Sequence, residues 1–240
     1  MAPDGIGNAD GIIGVVGVAP WSTLQFCEAL YQQVPALKDW HFPRVLIDVN
    51  TKIPSRGRHF DLGEENFSPY IKNSIIDLKN SGANVVVVTC NTAHIHYNLW
   101  NVEEVPVPHA GLECANTIKK AGGIRSAILC GLSLRASNFY EELFESNGLR
   151  VGALSDIEAL AVAKIIAQVK KFGRPGSAEI IEISAIFERL QRSGVDSLVL
   201  ACTELSVLAQ AANVFFRIVV DSNVVLARAA LRIAAPRIAP

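Results

Sequence analysis

Short apolar runs alternate with longer amphipathic segments along most of this chain. Residues 11–18, 44–49 and 84–89 are rich in Val and Ile and nearly free of charge, which predicts strands buried on both faces. The same pattern returns at 126–131, 197–201 and 216–220. Between these runs, 22–34, 67–81, 115–121, 137–146, 157–172, 178–193 and 222–234 place apolar residues at helical spacing. Wholly apolar strands separated by helices imply parallel sheets covered on both sides, an α/β fold. Residues 50–66 break the rhythm: they are polar, charged and contain glycine, which predicts a long loop of the kind that binds ligands.

The pattern also repeats on a larger scale. The interval from Gly17 to Cys90 nearly equals that from Gly131 to Cys202. Each interval opens where a strand passes into a helix through small or hydroxylated residues, Trp21-Ser22-Thr23 or Leu132-Ser133. Each closes on a strand that ends in cysteine, Val88-Thr89-Cys90-Asn91-Thr92 or Leu200-Ala201-Cys202-Thr203-Glu204. This predicts a duplicated chain of two similar Rossmann-like lobes. Lobe 1 takes residues 1–107 plus 215–240, and lobe 2 takes 108–214. The run 216–220 and the last helix go to lobe 1, because that run has no obvious partner otherwise. Sheets of this type bind ligands at the carboxyl ends of their strands, so a shared cleft is the expected site. A cysteine at such a strand end, with helix-capping residues after it, is expected to gain acidity from the helix N-terminus.

Composition excludes several function classes. A formal charge of -1 leaves no excess of Lys and Arg for a nucleic acid partner. No apolar run reaches membrane-spanning length, and the first twenty residues lack the basic start and cleavage signature of a signal peptide. Five cysteines without clustered spacing fit a reducing cytoplasm better than a disulfide framework. Gly11, Gly14 and Gly17 precede Asp48, but Gly-x-x-Gly-x-x-Gly is a weak match to a dinucleotide fingerprint, so a dehydrogenase is a poor reading. Cys90, His94 and His96 lack a fourth metal ligand, so no metal is expected. Cys27, Cys114 and Cys130 read as small core residues.

The segments Thr89-Cys90-Asn91-Thr92-Ala93-His94 and Ala201-Cys202-Thr203-Glu204-Leu205 closely resemble the two signature segments of the aspartate/glutamate racemase superfamily. Gly17-Val18-Ala19-Pro20-Trp21-Ser22-Thr23 resembles that family's Gly-rich opening turn. Ile53-Pro54-Ser55-Arg56 resembles the arginine-bearing loop of aspartate racemases. Lys164 resembles their helix-borne lysine. Where glutamate racemases carry Asp-Ser-Gly and a later His, this chain has Gly17-Val18-Ala19 and Glu204, so the aspartate racemase-like branch fits better. The chain departs from the family at Gly131-Leu132-Ser133-Leu134-Arg135, which lacks the usual threonines.

The resemblance implies a cofactor-independent racemase for aspartate, with glutamate as another substrate to consider. Cys90 and Cys202 would be its two opposed acid/base groups. Asn91, Thr92 and Thr203 would supply donors to a substrate carboxylate, and Arg56 and Lys164 the cations. Glu204 is a candidate for proton relay, and Arg135 for a cation that replaces the absent threonines. A homodimer is also implied. Two alternatives stand beside this reading. One is an isomerase or decarboxylase of a diacid that uses similar cysteines. The other is a catalytically silent amino-acid-binding protein.

Overall fold

A computed structural model describes residues 10–239 apart from 101 and 104. Residues 1–9, part of the segment read for a signal peptide and of lobe 1, lie outside the described residues.

The first lobe opens with β1 (Ile12–Gly17), α1 (Pro20–Gln32), β2 (Val45–Val49), α2 (Arg56–Leu62), α3 (Ser68–Asn80) and β3 (Ala83–Val88). A 3-10 helix, Thr92–Leu99, and α4 (Ala110–Lys120) lead to the second lobe. Next come β4 (Arg125–Leu129), α5 (Leu132–Ala136), α6 (Phe139–Ser146), β5 (Arg150–Gly152), α7 (Asp156–Phe172) and α8 (Ser177–Arg192). The chain then runs through β6 (Ser197–Leu200), a 3-10 helix, Thr203–Leu208, α9 (Ala209–Ala212), β7 (Ile218–Asp221) and α10 (Ser222–Ala234).

All described strand pairs are parallel, in two sheets ordered β2-β1-β3 and β5-β4-β6-β7. The first three strands of each sheet share one order, the structural counterpart of the repeat seen in the sequence. The central strands of both sheets are buried on both faces, whereas β2, at the edge of the first sheet, leaves Ile47 and Val49 exposed. Val16, Val86 and Val88 pack against Ile71 and Ile75 of α3, while Ile13, Val15 and Val87 pack against Phe26 and Leu30 of α1. In the second sheet Leu129, Leu198 and Leu200 pack on α7 and α8, and Ile128 and Val199 on α4 and α6.

The last strand and helix part company. β7 pairs with β6, from Ser197↔Ile218 to Leu200↔Asp221, so the run 216–220 belongs to the second sheet rather than to lobe 1. Its partner was hidden because strand neighbours are chosen by packing between distant segments. α10 does cross back: Leu226, Ala227, Ala230 and Leu231 cover Ile13, Val15, Val85 and Val87. Val225, at the start of the same helix, packs with Val199, Ile218 and Val220 of the second sheet. One helix therefore seals both lobes.

The long loop 50–66 contains α2. Ser55 caps it by accepting from Arg58 N, and Gly63 ends it with φ +68°, a left-handed conformation that costs glycine little. No described helix is long and apolar enough to cross a membrane.

Candidate active site

The carboxyl ends of β1 and β3 face those of β4 and β6 across a cavity of about 300 Å3. Cys90 and Cys202, from the two repeats, both line it. Cys90 lies two residues beyond β3, where Thr89 N and Oγ1 both bond the carbonyl of Val16 at 3.0 and 3.1 Å. Cys202 is the extended residue before its 3-10 helix, and its carbonyl accepts from Leu205 N at 2.9 Å. Both thiols are half-buried and free of disulfides.

Of the other sequence-predicted residues, Arg56, Asn91, Thr92, Thr203 and Glu204 line the same cavity. Arg56 opens α2. Its Nη1 donates to the carbonyls of Ile53 and Pro54 at 3.3 and 3.0 Å, and its buried Nε has no partner among the described residues. A guanidinium braced on one edge and unsatisfied on another is suited to a carboxylate.

Asn91 lines the cavity with both polar atoms of its side chain bonded to protein groups. Its Nδ2 donates to Ser222 Oγ at 2.9 Å and its Oδ1 accepts from the buried Tyr140 hydroxyl at 2.5 Å. The side chain is thus committed to the framework. Thr203 Oγ1 donates to Glu204 Oε2 at 3.1 Å, whereas Thr92 Oγ1 has no partner among the described residues.

Cys202 Sγ donates to Glu204 Oε2 at 3.0 Å. Burial, and then the Glu204 carboxylate beside it, push this thiol well above its ordinary pKa, against a smaller lowering by Lys170. The expected gain in acidity from a helix N-terminus is therefore overturned at Cys202. The element after it is only a six-residue 3-10 turn, and burial together with a charge two residues on outweighs so short a dipole. The other three thiols fit the core reading. Burial raises Cys27 and Cys114, and lifts Cys130 to about 12.

Two predicted cations lie elsewhere. Lys164 sits on the outer side of α7, 3.4 Å from Glu179 and 3.7 Å from Glu182 of α8. Lys170 lines the cleft instead, on a stripe with Ala163 and Ile166. The two lysines are six residues apart, and at 100° per residue that turns them to different faces of one helix. Arg135 points out of the cleft to Asp156 Oδ1 and the Leu154 carbonyl, both at 2.9 Å, in a separate hollow beside β5. It does not stand in for the missing threonines. Gly131, Leu132 and Ser133 of that turn do reach the cleft.

The cavity also has lining residues that sequence reasoning missed. Gly57 and Asp61 come from α2, and Ser133 Oγ of the opposite lobe donates to Asp61 Oδ2 at 2.8 Å. The signals were present in the capping serine and terminal glycine around α2. Among the described residues, no group of His, Cys, Asp and Glu is arranged to hold a metal.

The model of the Asp/Glu/Hydantoin racemase family matches residues 13–230. The chain belongs to this family. It is similar in structure to the aspartate racemase of Picrophilus torridus, with 25% identity over 93% of this chain and 94% of that one and a TM-score of 0.83. An aspartate racemase homologue from Pyrococcus horikoshii OT3 matches at 22% identity, covering 94% and 99%, with a TM-score of 0.78. A glutamate racemase from Bacillus anthracis shares the fold at 16% identity, covering 92% and 80%, with a TM-score of 0.65. The two-lobed α/β architecture of this racemase family is thus the architecture of this chain, and of these relatives the aspartate racemase and its homologue superpose better than the glutamate racemase.

Proposed function

We propose that this racemase-family protein interconverts L- and D-aspartate without a cofactor, by two-base proton transfer between Cys90 and Cys202. The observation that carries this reading is that both thiols, one from each repeat, line a single cavity together with Arg56 and Lys170. Racemisation removes a proton from one face of the α-carbon and delivers another to the opposite face. One base would have to change sides; two bases finish in a single pass. One sulfur must therefore start as thiolate and the other as thiol.

The environment of Cys202 favours the thiol as its resting form, since burial and the Glu204 carboxylate oppose negative charge on the sulfur and Glu204 accepts a hydrogen bond from the thiol. In this reading Cys202 starts as the acid, and Glu204 holds the proton's position between turnovers. Negative charge that grows on the α-carboxylate is met by the Thr92 hydroxyl and by backbone N–H groups of the two cysteine turns. Arg56 and Lys170 take the carboxylates of a dicarboxylic amino acid. A homodimer in a reducing cytoplasm completes the proposal, and five free thiols agree with such a compartment.

Proton NMR in deuterated water, with L- and D-aspartate as separate substrates, tests it. Wild type is expected to racemise both and to exchange the α-proton. Cys90→Ala and Cys202→Ala should each lose racemisation, with exchange of one enantiomer surviving at most. Full racemisation by either variant refutes the two-base assignment. Turnover of a diacid with both aspartates untouched would move the protein to another chemistry.

A further inference from the structure

Four charged side chains line the cleft: Arg56, Lys170, Asp61 and Glu204. Glu204 is already engaged by Cys202 and Thr203 through one oxygen. Asp61 is the remaining anion, and the proton transfer between the cysteines does not use it. It is held in a defined place. Ser133 Oγ, from the other lobe, donates to its Oδ2 at 2.8 Å, which leaves Oδ1 without a partner among the described residues. Gly57 makes this contact possible: a Cβ there would lie 3.0 Å from Ser133 Oγ and 3.9 Å from Asp61 Oδ2. The bare glycine lets α2 approach α5 closely enough for the two side chains to meet across the cleft.

An acidic amino acid carries two carboxylates and one ammonium. Two cations in the cavity answer the carboxylates, and one unspent carboxylate is left for the ammonium. A diacid without nitrogen would meet the same two cations but bring only negative charge to Asp61. Ser133, which could otherwise donate to a substrate carboxylate, has its hydroxyl proton committed to Asp61. We infer that Asp61, positioned by Ser133, binds the substrate ammonium and so selects an amino diacid over a plain diacid. This inference rests on the reading of the cleft as an acidic amino acid site. It adds the group that distinguishes such a substrate from its deaminated counterpart.

Calorimetric titration with L-aspartate and with succinate tests it on wild type, Asp61→Asn and Ser133→Ala. Wild type should prefer L-aspartate. Asp61→Asn should weaken L-aspartate by about tenfold, the usual scale for a lost charge-assisted hydrogen bond. Succinate binding should be unchanged or tighter in that variant, because a repelling charge is gone. Ser133→Ala should shift the preference the same way by a smaller factor. Equal weakening of both ligands would mean a structural role only and would overturn the inference. So would unaltered L-aspartate binding in Asp61→Asn, or a wild type that binds both ligands alike. Racemisation is measured separately on the same samples. A wild type that shows the Asp61-dependent preference without racemising sinks the racemase reading alone. One that racemises while Asp61→Asn behaves as wild type sinks this inference alone. Binding of neither ligand to wild type removes both.

Discussion

Asn91 Nδ2 donates to Ser222 Oγ at 2.9 Å, joining the turn after Cys90 to the first residue of α10. The next residue of that helix does the same for the other cysteine. Asn223 Nδ2 donates to the Thr203 carbonyl at 3.1 Å and to Ser206 Oγ at 2.8 Å, behind Cys202. Asp221 caps the helix by accepting from Asn223 N at 2.8 Å. The start of one helix thus fixes the turns behind both sulfurs.

Asn223→Ala tests this arrangement. The buried Thr203 carbonyl and Ser206 hydroxyl would each lose a donor, at a cost of about 1–3 kcal/mol. Displacement of the Cys202 turn should lower kcat by about tenfold or more, because misplacement of a reacting group by an ångström is severe. Urea unfolding and racemisation kinetics, run where the variant is folded, check both values. Unchanged kcat in a destabilised protein would show that the helix supports stability without setting geometry.

At Cys202, the Glu204 carboxylate raises the thiol pKa in addition to burial. Glu204→Gln removes the charge and keeps the shape, so the thiol should ionise at lower pH. The pH midpoint for iodoacetamide labelling of Cys202, read by mass spectrometry, should fall relative to wild type. Burial still acts, so it should stay above the free-thiol value of roughly 8.5. Racemisation should slow as well, because the carboxylate that keeps Cys202 in the resting thiol form is gone. A midpoint that rises or stays fixed contradicts the assigned electrostatics.

The two lysines of α7 should separate cleanly in kinetics. Lys170→Ala removes a cation from the cleft and should reduce kcat/KM for aspartate by about tenfold or more, the scale of a charged hydrogen bond. Lys164→Ala breaks a pair with the buried Glu179 and an exposed one with Glu182, and should lower stability by about 1–3 kcal/mol, the scale for a buried polar group that loses its partner. Kinetic parameters of the second variant should match wild type. The reverse result would return the family lysine to position 164.

His94 sets an acid limit on the fold. It is buried, its Nδ1 accepts from Ala110 N at 3.4 Å, and its Nε2 lies 3.3 Å from the Val88 carbonyl. Burial, then the neighbouring His109, lower its pKa from 6.5 to about 3. Above 6.5 neither the folded nor the unfolded chain protonates this ring. Between 6.5 and about 3 the unfolded chain takes up a proton that the folded one refuses, so stability falls as pH drops through that window. The full effect is up to about 5 kcal/mol. Urea midpoints measured from about pH 7.5 down to about 4, which brackets most of that window, should decline in wild type and decline less in His94→Gln. A parallel decline in both would place the acid sensitivity elsewhere.

Much of this architecture was legible in the chain because its strands are unusually pure. Val85, Val86, Val87 and Val88 leave no polar position to suggest an exposed face, and β3 is buried accordingly. The paired cysteines were legible for the same reason: each ends an apolar run and begins a polar turn. β5 was not legible, since three residues are too few to show a period. Neither was the partner of β7, which depends on contacts between segments far apart in sequence.

The cations divide on similar grounds. Arg56 could be placed through the likeness of Ile53-Pro54-Ser55-Arg56 to the racemase arginine loop, although the sequence pattern predicts a loop where the residue opens a helix. The phase of α7 was the missing information for the lysine. Ala163, Ile166 and Lys170 form a stripe at i, i+3 and i+7 that faces the cleft, but Lys164 shares an equally apolar stripe with Ile157, Leu160 and Ala161, and only the packing of α7 tells the two apart. Arg135 failed for a different reason. Its side chain reaches across to Asp156, a partner 21 residues away that spacing does not announce.

The repeat invites the idea that two ancestral halves could be cut apart and mixed again, yet α10 ties them into one heritable unit. A fragment ending before that helix would expose Ile13, Val15, Val85 and Val87 to solvent on one side. It would also leave β7, still bound to the distant sheet, without its continuation. Half-proteins made from this chain should therefore aggregate when expressed alone and regain order only when both pieces are supplied together.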